Sequence, residues 1–119
     1  MTVRMSAIVV NCVDLEREVA FWRALLGVGE HQRVDGFFVW LEPQQPGGVK
    51  LAFQKVDEPT PGRRRLHLDL GVDEVDATAA RIAALGGRHL EDHEIGGFTW
   101  KVMADPEGNE FCIAPADAH

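Results

Sequence analysis

The strongest constraint on this chain is that it repeats itself. Sliding the 119-residue sequence along itself by 60 residues pairs the first half with the second. The identical residues that result are over twice the roughly four that ordinary composition gives by chance. Their placement matters more than their number. Gly27/Gly87, Ala24/Ala84 and Leu25/Leu85 fall where an apolar periodic stretch stops. Pro46/Pro106 and Gly48/Gly108 fall in turns, and Phe38/Phe98 and Trp40/Trp100 fall in β-rich runs. A chain built this way reads as two copies of one unit, each of about 55 residues and too small for an independent core.

The unit can be read twice. Ser6 to Val13 is a β-branched run and predicts a strand. Asp14 follows as a helix N-cap, and Leu15, Val19, Trp22 and Leu26 recur on one helical face until Gly27, where a left-handed residue ends the helix. A short strand near Glu30 to Val34, then Gly36 to Leu41 and Val49 to Lys55, complete the first copy, with a turn over Pro43 to Gly48. Glu58 to Gly62 has the composition of a connector. The second copy runs from a strand at Arg65 to Val72, through an Asp73/Asp76 capping box, to a helix with Val75, Ala79, Ile82 and Leu85 on its apolar face. Gly86 and Gly87 stop that helix. Strands follow near Arg88 to His93, at Phe98 to Ala104 and at Asn109 to Ala114, the last two joined by a type I turn at Asp105 to Gly108. The pattern is strand–helix–strand–strand–strand, twice.

Composition narrows the function classes. A length of 119 residues makes one domain. Net charge is −7, which removes the basic footprint of a nucleic-acid binder and opposes acidic membrane surfaces. No apolar stretch approaches the roughly 20 residues of a membrane span. The one basic run, Arg63 to Arg65, reads as a solvated strand edge. Met1 to Arg4 shows no basic-then-apolar leader, so a reducing cytoplasm is expected, with Cys12 and Cys112 as thiols. Strand alternation supports this, since it turns Cys12 toward the helix side and Cys112 away from it.

The stretches Val9–Gly27, Leu51–Gln54, Arg65–Gly87 and Ala104–Ile113, about half of the chain, resemble the vicinal oxygen chelate superfamily, and within it the small glyoxalase-like proteins. That superfamily includes glyoxalase I, bleomycin-resistance proteins and extradiol dioxygenases. The resemblance implies an α+β fold: one domain over 1–119, made of two βαβββ modules (about 4–57 and 63–116), with mixed sheet curled into a U-shaped cleft and helices outside. It also implies a homodimer. Metal-bearing members hold a divalent ion through a His or Glu on the first strand of each module and a Glu on the last. Here those four positions are Ala7, Ala52, His67 and Cys112, the last standing where the turn pattern of the family leads to a glutamate. Two of the four cannot coordinate anything, and a Lewis-acid site usually needs about three protein ligands. No cofactor is therefore expected, with a weakly bound divalent metal as the alternative.

Alternation puts His67 and Asp69 on the cleft side of their strand, opposite Leu66, Leu68 and Leu70. It puts Glu110 and Cys112 on that side of theirs, opposite Phe111 and Ile113. Trp40, Gln54, Asp69, Trp100 and Glu110 are the candidate ligand-binding residues, and His67 and Cys112 the candidate catalytic ones. Each has a plain structural reading too: His67 paired with Asp69, Cys112 as a small packed hydrophobe, and Trp40 and Trp100 as fillers at matching places in the two modules. Trp22 belongs to the helix core. His31, His89, His93 and His119 have no ligand spacing and read as solvent groups. Two functions follow. One is a metal-free binder of a small planar or hydrophobic molecule, as in the resistance branch of the superfamily. The other is a lyase or isomerase of the glyoxalase I type, using a weak divalent metal or His67 as general base.

Overall fold

The computed structural model describes residues 5–59, 61 and 66–116. The Arg63–Arg65 run and His119 lie outside them. The chain forms two compact units, Met1–Thr60 and Pro61–His119. In the first, the order is β1 (Ala7–Cys12), α1 (Leu15–Leu26), β2 (Glu30–Val34), β3 (Phe38–Leu41) and β4 (Lys50–Lys55). In the second it is β5 (Leu68–Val72), α2 (Val75–Ala84), β6 (Arg88–Ile95), β7 (Phe98–Ala104) and β8 (Glu110–Pro115). Each unit is a four-stranded mixed sheet, ordered β1-β4-β3-β2 and β5-β8-β7-β6. The first strand of each runs parallel to the last, and the other neighbours are antiparallel. Neither sheet closes into a barrel. The expected α+β class and the βαβββ order of both units are as the sequence implied.

In the first unit, α1 starts where the Asp14 carboxylate accepts the Arg17 backbone N–H at 3.2 Å and ends at Gly27, whose φ is 71°. Its apolar stripe packs on β3 and β4. Leu15, Val19, Phe21 and Trp22 are buried there with Val39, Leu41 and Phe53, and Phe21 meets Trp22 edge-on at 5.3 Å. Each such side chain contributes about 1.5–3 kcal/mol on burial. Arg33 ties β2 to α1. Its guanidinium donates to both Glu16 oxygens (3.0 and 3.1 Å) and both Glu30 oxygens (2.8 and 2.9 Å). These bonds hold the Glu30 carboxyl below the ordinary carboxylate range.

The second unit departs from expectation at its helix. The N-cap of α2 is Glu74, with no side-chain capping bond, so the Asp73/Asp76 box does not form. An aspartate three residues on lacks the methylene that lets glutamate reach back, and the Asp76 carboxylate instead lies 3.8 Å from Lys101 Nζ. α2 packs on β6 and β8, where Ile82, Met103, Phe111 and Ile113 are buried. Asp105 organises the turn between β7 and β8. It is 2% exposed, and its Oδ1 accepts the N–H groups of Glu107 (3.0 Å) and Asn109 (2.9 Å).

Candidate functional site

The face of the second sheet that turns away from α2 carries the candidate site. Pairing across β5, β8, β7 and β6 sets Asp69 beside Cys112, Cys112 beside Val102, and Val102 beside Glu91. That row crosses the floor of a cavity of about 700 Å³. Along β7, Trp100 and Phe98 extend the floor, and β6 adds His93 and Ile95. His67, just ahead of β5, and Glu110, at the start of β8, complete the polar end. Phe111 and Ile113 are buried and Cys112 is half-buried, as alternation requires.

Two contacts order the polar groups. His67 Nε2 lies 3.1 Å from Asp69 Oδ1. His93 Nε2 lies 2.7 Å from Glu91 Oε1, and the His93 ring stacks on Trp100 with centroids 5.1 Å apart and planes 18° from parallel. Phe98 stands 5.5 Å from Trp100 on the same face, its plane tilted by 40°. The result is an aromatic wall beside a small group of titratable side chains. Donor atoms of His67, Asp69 and Cys112 all lie within 4.8 Å of one another. An imidazole, a carboxylate and a thiol in that proximity fit a divalent ion with a position left open. The sulfur in the set favours a thiophilic ion over a hard one.

The first unit is decorated differently. Its equivalent row runs Val9, Ala52, Trp40 and Gln32. β1 on β4 and β5 on β8 keep the 60-residue offset, since Ile8 pairs with Leu51 and Leu68 with Phe111. Ala7 and Ala52 are thus the counterparts of His67 and Cys112. Trp40 is half-buried and stacks on Phe38, with centroids 5.6 Å apart. Gln54 pairs with Phe38 and Asn11 in the same sheet. Of the sequence-predicted site residues, the second unit therefore gathers His67, Asp69, Trp100, Glu110 and Cys112 around one cavity. Trp40 and Gln54 belong to the sheet of the first.

The two tryptophans do not occupy matching places. Trp40 faces Ala52 across its hairpin, but Val102, not Trp100, faces Cys112. The tight Asp105 turn pairs Ala104 with Glu110 and slides β7 by two residues relative to β3. A slip of two keeps Trp100 on the same face and moves it along the strand, where it meets His93. His93 and Glu91 were not among the sequence-predicted site residues; His93 is exposed, as a solvent group would be, but stacks on Trp100 at the cavity. A bulge in β6 between His89 and Glu91 sets their face. Ahead of it His89 pairs with Met103; after it Glu91 and His93 pair with Val102 and Trp100. The extra residue switches the face that odd positions present. His89 and Asp92 therefore share the helix side, 2.8 Å apart, with Lys101 Nζ 2.9 Å from Asp92. Lys101 holds the Asp92 carboxyl below its ordinary value, helped by His89.

Comparison with known proteins gives one sequence family and many solved structures of like fold. The family model described as a glyoxalase-like domain matches residues 7–114. No curated protein matches the sequence significantly. Among solved structures, a glyoxalase/bleomycin resistance protein/dioxygenase family enzyme from Burkholderia phytofirmans is 22% identical, with a TM-score of 0.78 over 93% of this chain and 97% of that one. A mutant of the fosfomycin resistance protein FosX from Listeria monocytogenes, complexed with Mn(II) and a dihydroxypropylphosphonic acid, is 18% identical. Its TM-score is 0.78 over 96% of this chain and 90% of that one. Lactoylglutathione lyase from Agrobacterium tumefaciens is 20% identical, with a TM-score of 0.69 over 94% and 92%. At these identities the structural likeness speaks for the fold.

Proposed function

The chain belongs to the glyoxalase-like domain family, and from that premise we propose that it binds a small, planar or hydrophobic molecule in the cavity of its second sheet. The observation that carries this reading is the wall formed by Phe98, Trp100 and the stacked His93 around a cavity of about 700 Å³. Ligand sites are commonly of this size, mostly apolar, with a few placed polar groups. Here the polar groups are Asp69, Glu91, Glu110 and the two histidines. The reading includes a homodimer in the cytoplasm, as the family resemblance and the two cysteine thiols suggest.

The convergence of His67, Asp69 and Cys112 supports a second reading, a lyase or isomerase. With Asp69 Oδ1 3.1 Å from His67 Nε2, a proton held on that nitrogen would leave Nδ1 with its lone pair, the form a general base needs. A divalent ion held by the three side chains would supply Lewis-acid polarisation of a carbonyl.

Titration with planar aromatic and keto-acid compounds, read by thermal shift and tryptophan emission, tests the first reading. Saturable binding that weakens about tenfold in Trp100→Ala, without turnover, is the expected outcome. Absence of saturable binding across the set refutes it. Turnover of a glutathione hemithioacetal that disappears in His67→Ala, or a stoichiometric divalent metal lost in that variant, would replace it with the second.

A further inference from the structure

The charge lining the cavity points to what it selects. Resting on the binding reading above, we infer that this site takes a ligand bearing a positive charge beside a flat, apolar body.

Among the described residues, the lining includes three carboxylates, Asp69, Glu91 and Glu110, and neither lysine nor arginine. Asp69 and Glu91 sit at opposite ends of one four-strand row. At about 4.8 Å per strand they are roughly 14 Å apart, so a guest lying across the row is flanked by negative charge on both sides. Glu110 stands two residues from Cys112 on β8, near the Asp69 end. Among the described residues, no cation of the surrounding strands lines the cavity. Alternation sends Lys101 to the helix face, where Asp92 at 2.9 Å and Asp76 at 3.8 Å hold it. Arg88 pairs with Ala104, and Ala104 with Glu110, so it lies in a row on the cavity's face, but it does not line the cavity. The two imidazoles are each already set against a carboxylate, His67 on Asp69 and His93 on Glu91. An anionic guest would meet repulsion from both sides, with no lysine or arginine among the described lining residues to answer it. A cationic guest meets carboxylates at the rim and aromatic faces on the floor, and both attract it. The net charge of −7 draws the same sign of ligand from a distance.

Three probes of one shape separate charge from shape: naphthylmethyl-trimethylammonium, its uncharged carbon isostere, and naphthylacetate. Binding is followed by tryptophan emission at low ionic strength. The expected order is cation, neutral, anion, with the cation about tenfold tighter than the isostere, as several exposed charge pairs plus an aromatic contact would give. Asp69→Asn with Glu91→Gln, both at half-exposed positions and nearly isosteric, should cut that preference at least threefold. Salt at about 0.3 M should do the same. An anion that binds as tightly as the cation overturns the inference, as does a preference that survives the double variant. Either result leaves the binding reading standing if the isostere saturates. Failure of all three probes to saturate overturns the inference, and the binding reading then stands or falls on the wider set of planar aromatic and keto-acid compounds.

Discussion

Replacing Asp105 removes the one buried carboxylate that holds the β7–β8 turn, and the cost can be built bond by bond. Oδ1 accepts two backbone N–H groups, from Glu107 at 3.0 Å and Asn109 at 2.9 Å, and Oδ2 accepts the Asn109 side-chain amide at 3.0 Å. Bonds to an ionised acceptor are worth about 1.5–3 kcal/mol each when fully buried. Glu107 and Asn109 are half-buried, so their released N–H groups regain part of this from water. About 1 kcal/mol per bond is the appropriate scale, and Asp105→Ala should cost about 3 kcal/mol. Asp105→Asn keeps an oxygen for both backbone donors and loses only the bond to the Asn109 amide, a cost of about 1 kcal/mol. Urea unfolding reads both. With a slope near 1.5 kcal/mol/M, the alanine variant should lose about 2 M of midpoint and the asparagine variant less than about 1 M. An asparagine variant as unstable as the alanine one would refute the reasoning. The turn would then depend on the negative charge itself, not on the number of accepted bonds. An alanine variant losing under about 1 kcal/mol would refute it from the other side.

Glycines test the two helix ends separately. A Cβ on Gly87 would lie 2.6 Å from the Ala104 carbonyl oxygen and 2.7 Å from Ile82 Cγ2, so Gly87→Ala should cost about 2–3 kcal/mol by chemical denaturation. Gly27→Ala meets open space and strains only the backbone at φ 71°, for about 1 kcal/mol. The Arg33 cluster makes stability depend on pH. Glu30 is depressed in the folded state, so its contribution is present above the unfolded carboxylate value and is lost as pH falls through the folded one. The stability gap between wild type and Arg33→Met should therefore shrink from about pH 7 to about pH 3, and a constant gap would show that the guanidinium acts by packing alone.

Much of the scaffold is legible in the sequence because its signals are local. Asp14 and Gly27 bracket α1 since one side chain and one backbone conformation suffice to start and stop a helix. Phe98 to Ala104 emerges as β7 with the boundaries expected. The 60-residue offset places Ala7 opposite His67 and Ala52 opposite Cys112 because the parallel strand pairs keep their register in both units. The illegible part depends on pairing between strands. Period-two reasoning assigns faces only while the strand is regular, and the β6 bulge reverses them at a point where nothing in Arg88 to His93 marks an extra residue. His93 and His89 read alike in the sequence for lack of ligand spacing, yet the two face opposite sides. The Asp73/Asp76 box failed for a different reason: an aspartate three residues on is too short to reach back, and the helix starts at Glu74 without a side-chain cap.

The shift of two residues in β7 explains how a near-symmetric sequence yields one decorated cavity. A shift of one would have turned Trp100 to the helix side and brought Lys101 onto the floor. A shift of two preserves the face, frees the place beside Cys112 for the smaller Val102, and carries Trp100 next to His93. The space above Asp69, Cys112 and Val102 is then bounded by aromatic rings instead of filled by one. In the first unit the unshifted Trp40 stands against Ala52, beside Val9. The same fold element thus carries a tryptophan against an alanine in one copy and a lined cavity with carboxylates at its ends in the other. The difference traces to the short turn that Asp105 closes.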